Sequence, residues 1–343
     1  DFLQNNIRHI FWKSSINHHS ALKGQTDHDI LVNINDLKKA EKLLYKNSWI
    51  KVKSQIWARY TDTKDFVKFD FETCTLQHIH LHYFPITGIK RVKKINLNFL
   101  SEKLLNTFQY KKDSKIIYPS YELELIIFLI RVYNKGGLKR SFFVNKSYPK
   151  NVFIELNYLI KKSTLNKLNK LLIYLNINTI FTNKILNIRS IKDLNEISNS
   201  LQKNLDIVDR YGKILSFYIS FYKGVIQWLN LKLDNKFPLF SSKKRFFNKG
   251  KSISLIGIDG SGKSTLQKLI NKKLSHKLSI KCFYMGSGES LFKNSNLNKL
   301  RLNSRNILKN NNNFRNILKD LFYLFIATKN MFNVIKAKIY LNF

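Results

Sequence analysis

Residues 252–266 read Ser-Ile-Ser-Leu-Ile-Gly-Ile-Asp-Gly-Ser-Gly-Lys-Ser-Thr-Leu, and the rest of the chain is read outward from them. An apolar run enters a glycine-rich turn, and a helical pattern starts where the turn ends. The turn fits G-x-x-x-x-G-K-[ST], with Gly257 as its first glycine and Gly262 as its last. Each residue type has a physical reason to be there. Gly257, Gly260 and Gly262 let the backbone curl so that successive N–H groups, including that of Ser261, point at phosphate oxygens. The helix that follows adds unsatisfied N–H groups and a partial positive charge. Lys263 supplies a full charge for the outer phosphates, Ser264 a hydroxyl for Mg²⁺, and Thr265 opens the helix. The expectation is a nucleotide site for ATP and Mg²⁺, on a strand–loop–helix unit.

The whole chain has 343 residues, which points to two or three folding units. Its 60 Lys and Arg against 22 Asp and Glu give a formal net charge of +38. Such a surface attracts polyanions. The basic residues are spread along the chain, however, and no RNP, zinc-finger or helix-turn-helix signature accompanies them. Lys, Asn, Ile and Phe are abundant throughout, so compositional drift explains the charge without a nucleic-acid partner. Cys74 and Cys282 fit no metal or redox spacing, and no apolar run is long enough to span a bilayer. Those features lead us to expect a cytoplasmic protein. The absence of an initial Met leads us to expect a fragment.

Three regions precede the loop. Residues 1–100 alternate strand-like and helix-like patterns: strands are predicted over 7–12, 28–34, 49–60, 66–71 and 78–84. Asn35 and Asp36 offer a cap for a helix starting at Leu37. Residues 101–236 turn helical, with helices predicted over 122–134 (ended by Gly136 and Gly137), 153–162, 165–175, 194–205 and 207–233. Residues 237–251 read as a basic linker. From 252 to 343 the pattern predicts a strand, the loop, a helix over 265–274, a second strand over 280–285 and an amphipathic helix over about 321–339. An echo between 305–309 and 315–319 reads as low complexity.

The sequence Gly257-Ile258-Asp259-Gly260-Ser261-Gly262-Lys263-Ser264-Thr265 resembles the phosphate loop of thymidylate kinases, which favour an acidic residue followed by Gly inside the loop. The resemblance implies a parallel α/β sheet flanked by helices. It also implies that Asp259 lies near the sugar of a bound nucleoside monophosphate, and that Lys263 and Ser264 serve the phosphates and Mg²⁺. The implied reaction is phosphoryl transfer from ATP·Mg²⁺ to a nucleoside monophosphate or a similar small phosphate acceptor. After the second strand this chain reads Tyr284-Met285-Gly286-Ser287-Gly288-Glu289 where those kinases carry an Arg-Glu-Pro-Gly-Gly-like motif, which leaves the acceptor open. The later Asp-Arg pair and lid of such kinases are not found after the loop. Asp209-Arg210-Tyr211 lies upstream and reads as a helix-surface accident. The loop domain is therefore expected to be a partial one.

At the other end, Gly24-Gln25-Thr26-Asp27-His28-Asp29-Ile30-Leu31-Val32 resembles the nucleotidyltransferase pattern of a turn, a D-x-D pair and an apolar strand. Positions i and i+2 of a strand share a face, so Asp27 and Asp29 could hold a divalent ion beneath a triphosphate. Such enzymes add a third carboxylate from a neighbouring strand. Here His80 stands at the expected place, with Asp70 or Glu72 as substitutes. His78, His80 and His82 alternate on one strand, which makes a zinc-like site conceivable. The whole reads as an α/β protein: a nucleotidyltransferase-like front, a helical middle and a partial P-loop parallel α/β domain. This order is similar to that of a family of bacterial proteins, some encoded with surface-polysaccharide genes. Three functions follow as alternatives: a kinase at the loop, a nucleotidyltransferase at the front, or a non-catalytic module whose binding depends on a nucleotide.

Overall fold

A computed structural model describes residues 2–88, 91–93, 95–106, 108–111, 116–135, 150–205, 207, 209–233, 243–248, 250–258, 260–283 and 312–342. The fold is mixed α/β, and its chain divides into two compact units. The first comprises Asp1–Leu231 with Ser242–Phe247, the second Lys232–Ser241 with Asn248–Phe343.

The first unit is built on a six-stranded sheet. Strands β1 (His9–Phe11), β2 (His28–Val32), β3 (Ile50–Lys53), β4 (Thr63–Asp70) and β5 (Thr75–His82) come from the front of the chain. The order across the sheet is β1-β2-β5-β4-β3, completed by a late strand, Arg245–Phe246. That last strand lies inside the stretch expected to be a linker. It pairs antiparallel with β3, setting Arg245 opposite Lys53 and Phe246 opposite Val52. Among the described residues, only β2 and β5 pair in parallel, with Asp29 opposite His80; β4 and β5 run antiparallel, with Asp65 opposite His80.

Between β1 and β2 lies the short helix α1 (His18–Leu22), and α2 (Leu37–Lys46) follows β2. The cap before α2 differs from the expectation. A 3-10 turn, Ile34–Asp36, comes first, and the Asn33 side chain accepts from the Asn35 N–H at 2.9 Å. Alternation along the strands separates two faces. Ile30, Val32, Phe66, Ile79 and Leu81 are buried with Ala40 and Leu44 of α2, while the opposite face carries the polar row described below.

Past the sheet come two small hairpins, β6 (Ile86–Thr87) with β7 (Ile95–Asn96) and β8 (Phe108–Lys111) with β9 (Ile116–Pro119). Helix α3 (Ser101–Asn106) lies between them. Helices α4 (Tyr121–Lys135), α5 (Lys150–Lys162), α6 (Leu165–Tyr174), α7 (Ile180–Leu186) and α8 (Ile191–Asn204) then form the middle. The residues from Leu123 to Ile130 other than Glu124 are apolar and buried, so α4 is covered on all sides. Its cluster includes Ile10, Trp12 and Leu31 from the sheet as well as Leu156, Leu172 and Leu201 from the helices. The sequence boundary at residue 100 thus falls inside a continuous core. Helix α9 (Gly212–Leu233) closes this region.

In the second unit, α10 (Lys263–Leu274) begins two residues earlier than predicted, and α11 (Asn312–Asn342) extends beyond both predicted ends. The two expected strands are not found there. Residues 251–258 are irregular, with Ile256 94% exposed, and residues 280–283 are irregular as well. An isolated apolar run cannot be a strand, because strand hydrogen bonds need a paired neighbour. Tyr284–Glu289, Gly136, Gly137 and the first half of the echo lie outside the described residues. Among the described residues, no helix is long and apolar enough to cross a membrane.

Candidate functional site

Within the second unit the glycine-rich turn has the curl that its residue types require. Gly260 and Gly262 adopt φ of +83° and +79°, in the left-handed region that favours glycine. Gly262 is also the residue from which α10 starts. A Cβ at Gly257 would lie 2.7 Å from Ser261 Oγ, closer than real Cβ contacts, so a larger residue there would displace the Ser261 hydroxyl. Lys263 folds back over the turn, its Nζ donating to Gly257 O at 2.6 Å and also to Ile258 O. An ammonium held on backbone carbonyls can exchange them for the oxygens of an anion, which bind it more strongly. Ser264 and Thr265 occupy the first turn of α10, both exposed. Asp259 lies outside the described residues.

In the first unit the polar face of the sheet gathers a denser set of groups. Adjacent pairing of β2, β5 and β4 brings Asp29, His80 and Asp65 into one row. Asp27, just before β2, bonds His78 Nδ1 at 2.8 Å and His80 Nε2 at 3.2 Å. Asp65 Oδ1 takes the other nitrogens of the same rings, His78 Nε2 at 3.2 Å and His80 Nδ1 at 2.6 Å. Ser54 Oγ donates to the remaining oxygen of Asp65. Lys244, beside the late strand, reaches Asp65 Oδ1 at 3.3 Å and His78 Nε2 at 3.0 Å. A second cluster adjoins the first: Asp29 Oδ1 bonds Lys13 Nζ at 2.9 Å and His82 Nε2 at 3.0 Å.

These contacts set the charge states. Burial opposes ionisation of Asp27 and Asp65, but hydrogen bonds from His78 and His80 outweigh it and hold both carboxyls well below their usual range. Burial likewise disfavours the cationic form of His80, yet the bonds to Asp27 and Asp65 raise its pKa to about 9. His82 goes the other way. Burial and the charge of Lys13 lower it to about 4 despite Asp29. Asp29 itself is held well below the usual range, burial being overcome by Lys13 and His82.

The row opens on a cavity of about 320 Å³, lined among others by Lys13, Asp27, Asp29, Tyr60, His80 and Lys93. Its sides are Phe11, His18 and Tyr118, whose rings meet edge-on or tilted. The cavity has the volume of a small-ligand pocket and carries charges of both signs.

Asp27, Asp29 and His80 thus come together as the sequence led us to expect. Asp70 and Glu72 do not join them. Asp70 accepts from Thr73 Oγ1 at 2.7 Å and from the Glu72 N–H at 3.1 Å, which makes it the cap of the turn after β4. The third carboxylate is Asp65, which the sequence reading missed because it started the strand at 66. Alternation Thr63, Asp65, Val67 extends the strand backwards and gives Asp65 the parity of His80. Lys244 carried no signal, being 166 residues from His78. Asp209-Arg210-Tyr211 is no accident of a helix surface: Arg210 pairs with Asp62, and Asp209 forms a bridge with Ile95.

The donor set bears on which ion this place would suit. Magnesium wants oxygen ligands. Here two imidazoles stand between Asp27 and Asp65, and Lys13 and His82 occupy Asp29, so the residues do not fit a magnesium site. Comparison of the chain with protein-family models, with curated proteins and with solved structures finds no match.

Proposed function

We propose that this protein binds ATP at Gly257–Thr265 and transfers its terminal phosphoryl group to a nucleoside monophosphate or a similar small phosphate acceptor. One observation carries the reading: Lys263 is folded onto the carbonyls of a turn with two glycines in the left-handed region, directly at the start of a helix. The exposed backbone N–H groups of this turn and of the first turn of α10 would take the phosphate oxygens. Lys263 would move from the carbonyls to the outer phosphates and neutralise charge that develops during transfer. Ser264 is the residue that would hold Mg²⁺, whose charge supports the same transfer. No covalent intermediate is needed, because positioning and charge neutralisation suffice for this chemistry. Titration calorimetry tests the reading. ATP is expected to bind the parent and to bind Lys263→Ala at least ten-fold more weakly; equal affinities would sink it.

A second reading, nucleotidyl transfer at the first unit, is favoured by the cavity lined by Asp27, Asp29, Lys13 and Lys93. The two lysines suit a triphosphate, and the cavity volume suits a small acceptor. Release of pyrophosphate from a nucleoside triphosphate, lost in Asp29→Asn, is the expected outcome. Unchanged release in that variant would remove Asp29 from the reaction.

A further inference from the structure

We propose that Asp27, His78 and His80 form a site for a zinc-class divalent ion, with Asp65 holding the two imidazoles in place. The observation is one of complementary nitrogens. Asp27 meets Nδ1 of His78 and Nε2 of His80, while Asp65 meets Nε2 of His78 and Nδ1 of His80. One carboxylate therefore faces the inner nitrogens of both rings and the other takes both outer nitrogens. This is the arrangement found around metal-bound imidazoles, where the nitrogen away from the metal donates to a carboxylate that fixes tautomer and ring orientation.

The dimensions agree. Donor atoms of Asp27, His78 and His80 all lie within 4.8 Å of one another. Four-coordinate zinc with bonds near 2.0–2.1 Å holds its ligand atoms about 3.3 Å apart. The inner contacts of Asp27 to the two rings, 2.8 and 3.2 Å, are close to that spacing before any ion enters. Two nitrogens and one carboxylate make a three-ligand set of the kind that leaves a fourth position open, and they suit borderline ions better than hard ones. Asp27 and His80 also line the cavity, so a molecule bound there would reach the ion.

The fold explains why the set is pre-organised. His78 and His80 share a face of β5 with ring centroids 4.3 Å apart, and β2 and β4 flank that strand on either side. His78 is 1% exposed, which fixes its ring by packing. Lys244 lies beside the outer nitrogen of His78; with that nitrogen donating to Asp65, the ammonium directs its own protons to Asp65 Oδ1 and Ser54 Oγ and balances the outer carboxylate. His82, which alternates with the other two histidines in the sequence, is instead tied to Asp29. The inference shares Asp27 and the cavity with the second reaction proposed above, and neither reaction is needed for it.

The test uses the full chain, stripped with a chelator and titrated with Zn²⁺ against a competing dye, and separately with Co²⁺ under visible absorption. One Zn²⁺ per chain is expected, with Co²⁺ giving the intense absorption of a low-coordinate site. Millimolar Mg²⁺ is expected to leave the zinc affinity unchanged. His80→Ala should weaken zinc at least ten-fold, and Asp65→Asn by 10- to 100-fold. Circular dichroism establishes that each variant is folded, and the parent titration decides the matter even where a variant is not. Failure of the parent to bind either ion overturns the proposal. So does displacement by Mg²⁺, or titration of folded His80→Ala and Asp65→Asn indistinguishable from the parent.

Discussion

The glycine-rich turn and the aspartate–histidine row stand at opposite ends of the relation between motif and structure. The loop is specified almost entirely by nine consecutive residues, and its shape needs little else: two glycines in the left-handed region, one lysine folded over them and a helix start. The residues around it are exposed, with Ile253 at 75% and Ile258 at 82%. The row, by contrast, has a weak signature in sequence and a dense setting in space. Its members come from residues 13, 27, 29, 54, 65, 78, 80, 82 and 244, and most are joined by hydrogen bonds to two or more others. Backbone chemistry can be written locally. Side-chain chemistry across strands has to wait for the sheet.

That contrast can be broken most forcefully through packing. Phe66 is fully buried beneath the row, whereas Leu269 on α10 is 52% exposed. Phe66→Ala should lower stability by about 3–5 kcal/mol, and Leu269→Ala should change it by no more than about 0.5 kcal/mol. Urea melts followed by circular dichroism would measure both. Equal losses would mean that the loop helix is as deeply supported as the sheet.

Acidity separates the two regions next. With His80 raised to about 9, its charged bridge between Asp27 and Asp65 contributes stability that is complete below the unfolded pKa of about 6.5 and is lost as pH rises through about 9. With His82 lowered to about 4, the neutral ring contributes stability present above about 6.5 and lost as pH falls through about 4. Chelator-treated protein should therefore be most resistant to urea near pH 6.5. His80→Gln should flatten the alkaline limb, and His82→Gln part of the acid limb. Lys263→Ala should leave both limbs in place.

The loop supplies the smallest effect. Gly262→Ala forces a Cβ into the left-handed region at φ +79°, costing roughly 1–2 kcal/mol at the start of α10. A weakening of ATP affinity of about ten-fold, read by calorimetry, is the expected consequence. Binding as tight as the parent's would show that the curl of the turn is not what holds the nucleotide.

Much of this was legible from residues alone. Alternation located β2 and β5 within three residues of their observed ends, because each carries apolar residues at every second position against the core beneath α2. The apolar run of α4 announced a helix buried on all sides. Other features were not legible. The strand Arg245–Phe246 is two residues long, and it exists because β3 offers it an open edge. The apolar run before the loop looked like a strand, yet residues 251–258 are irregular because the same sequence pattern fits a strand only when a neighbour pairs with it.

By itself, then, the sequence determined the turn at Gly260 and Gly262, the lysine that answers it and the shared face of His78, His80 and His82. These follow from backbone sterics and from the two-residue period of a strand. The tertiary structure alone decided which partners those histidines have. It set Asp65 rather than Asp70 beside His80, gave His82 to Asp29 and brought Lys244 from the far end of the unit. The physical reason is register: which side chains meet across a sheet is fixed by the pairing of strands, and a shift of one residue would exchange the charged row for the apolar one.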